Sequence, residues 1–262
     1  ETGTGCSSTT SSVTINALPT APIAVNYSGA YDGTLKTGAA TVPAGITVDW
    51  FDAATGGNAT TAPSGTNAGT YTAWAEARNT TTGCKSTTRT LVTVNIGKAV
   101  LTATADNQTK VYGAANPTLT FQYSGWVNGE ETIDTPPSIT TTVDGTTIVG
   151  TYEDAITLSG GVDNNYTFNL VAGDFAVTKA VLTATADDQT KVYGAANPTL
   201  TFQYSGWVNG EETIDTPPSI TTTVDGTTIV GTYADAITLS GGVDNNYTFN
   251  LVAGDFAVTK AV

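Results

Sequence analysis

Few residues in this 262-residue sequence could carry chemistry. There is no histidine, and the only cysteines are Cys6 and Cys84. A Ser-His-Asp triad, a Cys-His pair and an imidazole metal site are therefore excluded within this chain. The 23 acidic residues will form carboxylate pairs by chance, and no pattern among them indicates a glycosidase. We expect no enzymatic activity, and a hydrolase is the weakest of three functional interpretations.

The two cysteines both fall within the first 97 residues. A single pair that brackets one module is typical of a disulfide formed in an oxidising compartment. We therefore predict a Cys6–Cys84 disulfide, with two free buried thiols as the alternative.

Oxygen-rich segments occur at Asp163-Asn164-Asn165 and Asp244-Asn245-Asn246. Hard oxygen ligands suit calcium, but no EF-hand spacing is present and Asp-Asn clusters are typical of turns. A turn is the favoured interpretation. A calcium site formed by Asp163, Asn164, Asp244 and Asn245 is the alternative, and no other cofactor is indicated.

The charge balance excludes some classes of binding partner. Net charge is −14 with nine basic residues, so a basic stripe for nucleic acid or for anionic lipid is absent. No apolar run approaches the roughly 20 residues that span a bilayer. We expect a secreted, monomeric protein without direct membrane contact.

An internal repeat sets the organisation. Residues 98–178 recur as residues 179–259, and the copies differ only at Asn107/Asp188 and Glu153/Ala234. We predict three domains, 1–97, 98–178 and 179–259. Lys260-Ala261-Val262 begins the motif again, as the start of a third repeat or the end of an excised segment.

The first module alternates with period two. Ile46, Val48 and Trp50 share one face of a strand, and Tyr71, Ala73, Ala75 and Ala77 share one face of another. Gly69-Thr70-Tyr71 is typical of a tyrosine corner, in which the phenol bonds to backbone upstream of its strand. These features predict an immunoglobulin-like sandwich with Phe51 and Trp74 on the outward face.

Two motifs of this module carry a resemblance. They are WFDAATGG at residues 50–57 and TGCKS at residues 82–86. Both are similar to motifs of the immunoglobulin-like domains in large secreted proteins of the Cytophaga and Flavobacterium type.

Each repeat divides into short strands separated by Gly, Pro, Asn and Asp. The pattern predicts strands at residues 99–105, 118–123, 138–143, 151–158, 165–171 and 175–178. Asp144-Gly145 indicates a hairpin, and Ala172-Gly173-Asp174 predicts a terminal hairpin. Trp126–Glu131 could hold one helical turn, and no longer helix is expected.

The repeats resemble the MBG repeats of bacterial surface adhesins, of the type that bears a Tyr-Gly motif. The residues that carry the likeness are Lys110–Pro117, Ser124–Gly129, Gly150–Tyr152, Asn165–Phe168 and Phe175–Thr178, each recurring in the second copy. The resemblance implies an all-β extracellular module with no catalytic residue. It leaves open whether each repeat is a β-sandwich or a β-grasp variant.

The boundaries between modules carry no flexible padding. Thr178-Lys179-Ala180 runs from one predicted strand into the next without the Gly, Pro or Ser of a flexible linker. A strand continuous across the boundary predicts an elongated rod, with modules of roughly 35 Å.

We therefore expect a stalk segment of a secreted or surface-anchored bacterial adhesin-like protein, whose partners are the neighbouring repeats. The alternative is a module that binds a host or environmental glycan or protein. It would stack that ligand on Phe51 and Trp74, or on Trp126 and Trp207.

Overall fold

The structure, a computed structural model, describes residues 15–261. These residues form 22 strands and no helix, and so contain no helix long and apolar enough to cross a membrane. The all-β prediction is confirmed. Cys6 lies outside the described residues, so the predicted disulfide stays a prediction.

The described residues fall into two compact units. One unit runs up to Thr102 and includes Ser124–Pro136 and Gly161–Asn169. The other holds Ala103–Tyr123, Pro137–Gly160 and the residues from Leu170 onward. The sequence boundary at Lys98 lies inside the first unit and the boundary at Lys179 inside the second. Neither boundary is a gap between compact bodies.

From residue 15 onward, where the structure describes the chain, the first module contains eight strands. They are β1 (Ile23–Val25), β2 (Tyr27–Ala30), β3 (Lys36–Thr37), β4 (Ala39–Thr41), β5 (Ile46–Phe51), β6 (Ser64–Gly65), β7 (Gly69–Asn79) and β8 (Thr90–Gly97). The main sheet has the order β2-β8-β7-β5, and the pairs β1-β4 and β3-β6 complete the module.

The predicted alternation of burial is observed along β8 and for the alanines of β7, but not along β5, where all six residues are half-buried. Ala75 and Ala77 of β7 and Val92 and Val94 of β8 are each 0% exposed. The antiparallel register pairs Phe51 with Trp74. Their side chains therefore share the opposite face, because successive strand residues point to opposite sides of a sheet.

Each repeat contains seven strands. In repeat 1 they are β9 (Ala99–Ala105), β10 (Gln108–Val111), β11 (Phe121–Ser124), β12 (Ser138–Thr141), β13 (Gly150–Ser159), β14 (Tyr166–Val171) and β15 (Gly173–Thr178). In repeat 2 they are β16 (Ala180–Ala186), β17 (Gln189–Val192), β18 (Phe202–Ser205), β19 (Ser219–Thr222), β20 (Gly231–Ser240), β21 (Tyr247–Val252) and β22 (Gly254–Thr259).

The strands of each repeat form two sheets. In repeat 2 the orders are β18-β16-β21 and β17-β22-β20-β19, and repeat 1 has the matching sheets β11-β9-β14 and β10-β15-β13-β12. A β-grasp needs a helix against its sheet, and the described residues have none. The sandwich alternative is therefore the one observed.

The predicted terminal hairpin is wrong. Strands β14 and β15 lie in different sheets, so the chain crosses between the two layers at Ala172. Gly173 permits this crossing, since a Cβ at that position would lie 2.8 Å from the carbonyl oxygen of Ala105. Gly254 makes the same approach to Ala186, also at 2.8 Å.

Two further local predictions differ from the structure. Trp126–Glu131 holds no helical turn, because Asn128 and Gly129 both adopt positive φ. The strands on either side of the repeat boundary are not continuous: β15 ends at Thr178 and β16 begins at Ala180. The two strands belong to different sheets, so the chain has to leave one sheet at Lys179.

The two differences between the copies have little structural effect. Asn107 accepts a hydrogen bond from the Asp174 N–H at 2.7 Å, and Asp188 accepts the same bond from Asp255 at 2.7 Å. The amide oxygen of Asn107 and the carboxylate oxygen of Asp188 therefore both act as the acceptor of this bond. Glu153 and Ala234 are both exposed.

Candidate functional site: the module junctions

One tyrosine occupies the same place at the end of every module. Tyr31, Tyr112 and Tyr193 directly follow the short strands β2, β10 and β17, each of which runs parallel to the last strand of its module. Their N–H groups donate to the carbonyl oxygens of Gly97, Thr178 and Thr259 at 2.7, 2.8 and 2.9 Å. Each tyrosine therefore lies beside the lysine where the next module begins.

At the first junction, Tyr31 reaches into repeat 1. Its hydroxyl donates to Glu130 Oε1, and the Tyr166 hydroxyl donates to Glu130 Oε2 at 2.7 Å. The rings of Tyr31 and Tyr166 meet edge to face, with centroids 5.8 Å apart. Tyr166 also accepts from the Val127 N–H at 2.9 Å. One carboxylate thus links two tyrosines across the module boundary.

The second junction repeats this arrangement. Tyr112 donates to Glu211 Oε1, and Tyr247 donates to Glu211 Oε2 at 2.7 Å. The Tyr112 and Tyr247 rings also meet edge to face, at 5.9 Å. The Val208 N–H donates to the Tyr247 hydroxyl at 3.1 Å. Tyr31 and Tyr112 are 5% and 4% exposed, so both tyrosines are buried, while Glu130 and Glu211 are half-buried.

An asparagine adds a second contact at each junction. Asn165 Oδ1 accepts from the Ala68 N–H at 2.9 Å, and Asn246 Oδ1 accepts from the Val149 N–H at 3.1 Å. In each case a side chain of the following module satisfies a backbone donor of the preceding one. This satisfies a partly buried amide that would otherwise be costly to leave unpaired.

Two glycines allow the modules to approach closely. Gly33 and Gly113 both have positive φ. A Cβ on Gly33 would lie 2.7 Å from Asn128 Cβ, and one on Gly113 would lie 2.6 Å from Val208 Cβ. A side chain at either position would push against the Trp-Val-Asn-Gly-Glu loop of the next module.

The aspartates predicted as calcium ligands form turns that present these contacts. Asp163 Oδ1 accepts from the N–H groups of Asn165 and Tyr166 at 2.7 and 3.0 Å, and Oδ2 accepts from the Asp134 N–H at 3.3 Å. Asp244 makes the same bonds in repeat 2. Within the described residues, no group of three or more acidic, Cys or His side chains is placed to hold a metal ion.

The asparagines that follow these aspartates, Asn164 and Asn245, also donate hydrogen bonds that stabilise the turns. The Asn164 N–H donates to Asp134 Oδ2 at 3.1 Å, and Asn245 donates to Asp215 through both its N–H and its side-chain amide. The turn interpretation of these segments therefore accounts for the hydrogen bonds observed.

Lysine side chains donate hydrogen bonds at two places: at the first residue of each repeat, and beneath the loop of repeat 1 that contains Tyr112 and Gly113. Lys98 Nζ donates to the Asp163 carbonyl at 2.6 Å, and Lys179 Nζ donates to the Asp244 carbonyl at 2.7 Å. Lys110 is 5% exposed, and its Nζ donates to the carbonyl oxygens of Asp144 and Ala114. The loop that carries Tyr112 is thus held from within its own module.

The junction tyrosines hold their protons tightly. The hydrogen bond to Glu130 and burial raise the pKa of Tyr31 to about 12. Burial and the hydrogen bond to Glu211 raise the pKa of Tyr247 to about 12. The pKa values of Tyr112 and Tyr166 are raised by the same causes. All four hydroxyls therefore remain donors at neutral pH.

The tryptophans predicted as stacking residues pack around this site. Trp126 meets the Tyr166 ring edge to face at 5.7 Å. Trp207 meets Tyr247 in the same way at 5.6 Å. Both indoles are half-buried, and they support the tyrosines that bind Glu130 and Glu211.

The other predicted platform lies on the outer face of the first module. The guanidinium carbon of Arg89 lies 3.4 Å from the Phe51 ring centroid. Arg89 is held there by Glu76 and by the carbonyl oxygens of Ala53 and Gly56. One face of Phe51 is therefore covered, and its neighbour Trp74 is half-buried.

Cys84, one of the two cysteines of the predicted disulfide, is half-buried and lies in the loop after β7.

The role of Tyr31, Glu130 and Asn165 was not predicted from the sequence. A signal was available, because the spacing of the repeats extends into the first module. Tyr31 precedes Tyr112 by the same interval that separates Tyr112 from Tyr193, and Gly69-Thr70-Tyr71 precedes Gly150-Thr151-Tyr152 by that interval too. Both tyrosine corners form, with Tyr71 donating to the Asn67 carbonyl and Tyr152 to that of Ile148.

Comparison with known protein families gives a match to one family in both repeats. The sequence profile described as "MBG domain (YGX type)" matches residues 101–176 and again residues 182–257. No curated protein matches the sequence.

Solved structures share only remote likeness. The I67–I69 fragment of titin is 11% identical, with 95% of this chain and 100% of that chain covered and a TM-score of 0.31. The N-terminal four Ig domains of Dscam1 isoform 9.44 are 13% identical, with 92% and 72% covered and a TM-score of 0.21.

Proposed function

The chain belongs to the MBG family (YGX type), and from the contacts at its module boundaries we propose that it is a stiff spacer. In this proposal the chain is a stalk segment of a secreted or surface-anchored bacterial adhesin-like protein. It presents another part of that protein at a distance, and each module's partner is the next module in line. The first module would be an immunoglobulin-like domain of the Cytophaga and Flavobacterium type.

The observation that carries this proposal is the buried contact between repeats. A single cluster of buried residues includes Tyr112, Phe175 and Val177 of repeat 1 together with Leu182 and Tyr247 of repeat 2. Flexibly linked domains keep separate cores and meet through small polar interfaces. A shared cluster, a one-residue connection and a bonded Tyr-Glu-Tyr set instead resist hinge motion.

The composition supports an extracellular, non-enzymatic role. The chain has 23 acidic and nine basic residues and no histidine. This balance favours solubility over binding to nucleic acid. A glycan-binding role has weaker support, because Arg89 covers one face of Phe51 and the half-buried Trp126 and Trp207 pack against junction tyrosines.

Small-angle X-ray scattering on the whole chain tests the proposal. We expect a maximum dimension above about 100 Å for three modules in line, with the same value in calcium and in chelator. A compact particle, or a broad distribution of dimensions typical of hinged domains, would contradict the spacer. Shortening in chelator would mean that calcium contributes to the junctions, as in the alternative interpretation of the Asp163 and Asp244 segments.

A further inference from the structure

The first and last strands of repeat 2 run side by side in the same direction. Strand β16 pairs in parallel with β21 in one sheet, and β17 pairs in parallel with β22 in the other. Between the sheets the Asp255 N–H donates to Asp188 Oδ1 at 2.7 Å, across the same 67-residue separation that relates the partners in both pairs. The register is therefore unbroken. We call residues 180–193, together with residues 246–259, the terminal ladder.

Hydrogen bonds close the terminal ladder at both ends. At one end the Ala180 N–H donates to the Asn246 carbonyl at 2.9 Å. At the other end the Tyr193 N–H donates to the Thr259 carbonyl at 2.9 Å, and Thr259 Oγ1 donates to the Lys191 carbonyl at 3.2 Å. The two segments that connect repeat 2 to the rest of the chain are thus bonded to each other along their length.

This arrangement determines how tension acts on the repeat. The chain enters repeat 2 at Lys179, directly before β16, and leaves it after Thr259, the last residue of β22. Because both segments run in the same direction, tension on the two ends pulls them in opposite directions along a common axis. The bonds of a parallel pair lie across that axis, so they share the load. In a hairpin opened from its free end, the bonds break one after another.

We propose that the terminal ladder is a mechanical clamp, which lets each repeat bear tension between its two ends without unfolding. The inference rests on the proposed spacer, since a stalk is stretched when the part that it presents is held. Resistance to forced unfolding depends on the unfolding rate under load, and equilibrium stability does not determine it. The direction of the strands therefore matters here more than the size of the core.

A buried lysine anchors the edge of this clamp. Strand β17 lies at the edge of its sheet, with β22 as its neighbour. Lys191 of β17 is 5% exposed, and its Nζ donates to Asn197 Oδ1 at 2.9 Å and to the Asp225 carbonyl. Load that enters β17 is thereby passed to a second part of the repeat. This gives a role to a cation that the junctions do not use.

The other modules contain related pairs of different length. In repeat 1, β10 runs parallel to β15, as β17 does to β22. In the first module the parallel pairing joins only residues 27–30 to residues 94–97, and β1 pairs with β4 instead. The first module therefore has a shorter ladder among its described strands, and we expect it to unfold at a lower force than the repeats.

The test stretches single molecules of the whole chain by their two ends, with Cys6 and Cys84 kept reduced. The module that unfolds is identified by the length of chain it releases. We expect the first module to unfold first, followed by two events of similar, higher force from the repeats. The unfolding rate of each repeat follows from the dependence of that force on pulling speed.

A matched pair of variants at Tyr193 isolates one bond of the ladder. The Ala195 N–H donates to the Val192 carbonyl at 3.0 Å, and Gly194 has a positive φ, so proline fits the second position of this turn. Tyr193→Pro removes the N–H that donates to Thr259, whereas Tyr193→Ala removes the side chain and keeps that N–H. We expect Tyr193→Pro to raise the unfolding rate of one repeat under load by about tenfold. Tyr193→Ala should leave both repeats close to the unchanged chain.

Urea unfolding of the same variants checks that each repeat still folds. If Tyr193→Pro and Tyr193→Ala give the same forces, the ladder does not carry the load and the inference is wrong. A first module stronger than the repeats would overturn it too. Weak repeats in a particle that scattering shows to be elongated would refute the clamp and leave the spacer intact. Strong repeats in a hinged particle would refute the spacer and leave the clamp intact.

Discussion

The junction at Tyr31 and the junction at Tyr112 join different modules with the same contacts. The first joins the first module to repeat 1, and the second joins the two repeats. Both use a tyrosine, a glutamate, a second tyrosine and an asparagine. They differ in their close approaches: Gly33 lies against Asn128, and Gly113 lies against Val208. The polar set is thus shared by the two junctions while the close approaches vary, and we therefore expect the polar set to contribute most to docking.

The largest effect should come from the glutamate. Glu211→Ala removes the acceptor of two tyrosine hydroxyls, and each unsatisfied buried hydroxyl costs about 1–3 kcal/mol. We expect a loss of about 2–4 kcal/mol in the free energy of unfolding measured with urea. Glu130→Ala should cost a similar amount if the junctions are equivalent. Glu212→Ala, at an exposed neighbour, is the control and should cost little.

A matched pair of glycines isolates the close approach. Gly113 and Gly194 both have positive φ, but a Cβ on Gly194 would have no atom within 4 Å. Both Gly→Ala changes incur backbone strain of about 1 kcal/mol. Gly113→Ala should cost about 1–3 kcal/mol more, because overpacking adds to the strain. Equal losses in thermal unfolding would mean that the loop of repeat 2 does not press on Gly113.

A matched pair of tyrosines isolates the hydroxyl. Tyr112→Phe removes a hydrogen bond to a charged group and should cost about 1.5–3 kcal/mol. Tyr193→Phe changes the same residue in the same local sequence, where the phenol is 48% exposed, and should cost less than about 0.5 kcal/mol. The measurement is again urea unfolding. Similar costs at the two positions would argue against a docked junction.

The smallest effect is a dependence on alkaline pH. The pKa of Tyr31 and of Tyr247 is raised to about 12, above the ordinary value of about 10. The folded state therefore binds these protons more tightly than the unfolded state. The stability they contribute is complete below about pH 10 and is lost as pH rises towards 12. Ultraviolet absorbance should show a late-titrating group of tyrosines, and Glu211→Ala should shift part of it to lower pH.

The strands of this protein were predictable because burial alternates along them. Strand β9 matches its predicted range, residues 99–105, and Leu101, Ala103 and Ala105 are buried while Val100 is exposed. Strand β10 was missed because its one buried residue is Lys110. The crossing at Gly173 was also missed, because a turn residue does not reveal which sheet the next strand joins.

The junction was harder to predict for a different reason. Tyr31 and Glu130 are 99 residues apart, and nothing near either residue marks it as a partner of the other. The Asp163 segment was recognised as oxygen-rich, and a turn was preferred to calcium. The contacts that Asn165 and Tyr166 make at the junction, however, depend on where the preceding module sits.

The central claim is that a tyrosine of one module and a glutamate of the next hold the two together. A double-mutant cycle between Tyr112→Phe and Glu211→Gln, measured by urea unfolding, tests it most directly. We predict a coupling free energy of about 1–2 kcal/mol, as found for residues in one hydrogen-bonded network. The cycle between Tyr193→Phe and Glu211→Gln should give a value near zero. A coupling near zero for Tyr112 and Glu211 as well would contradict the account.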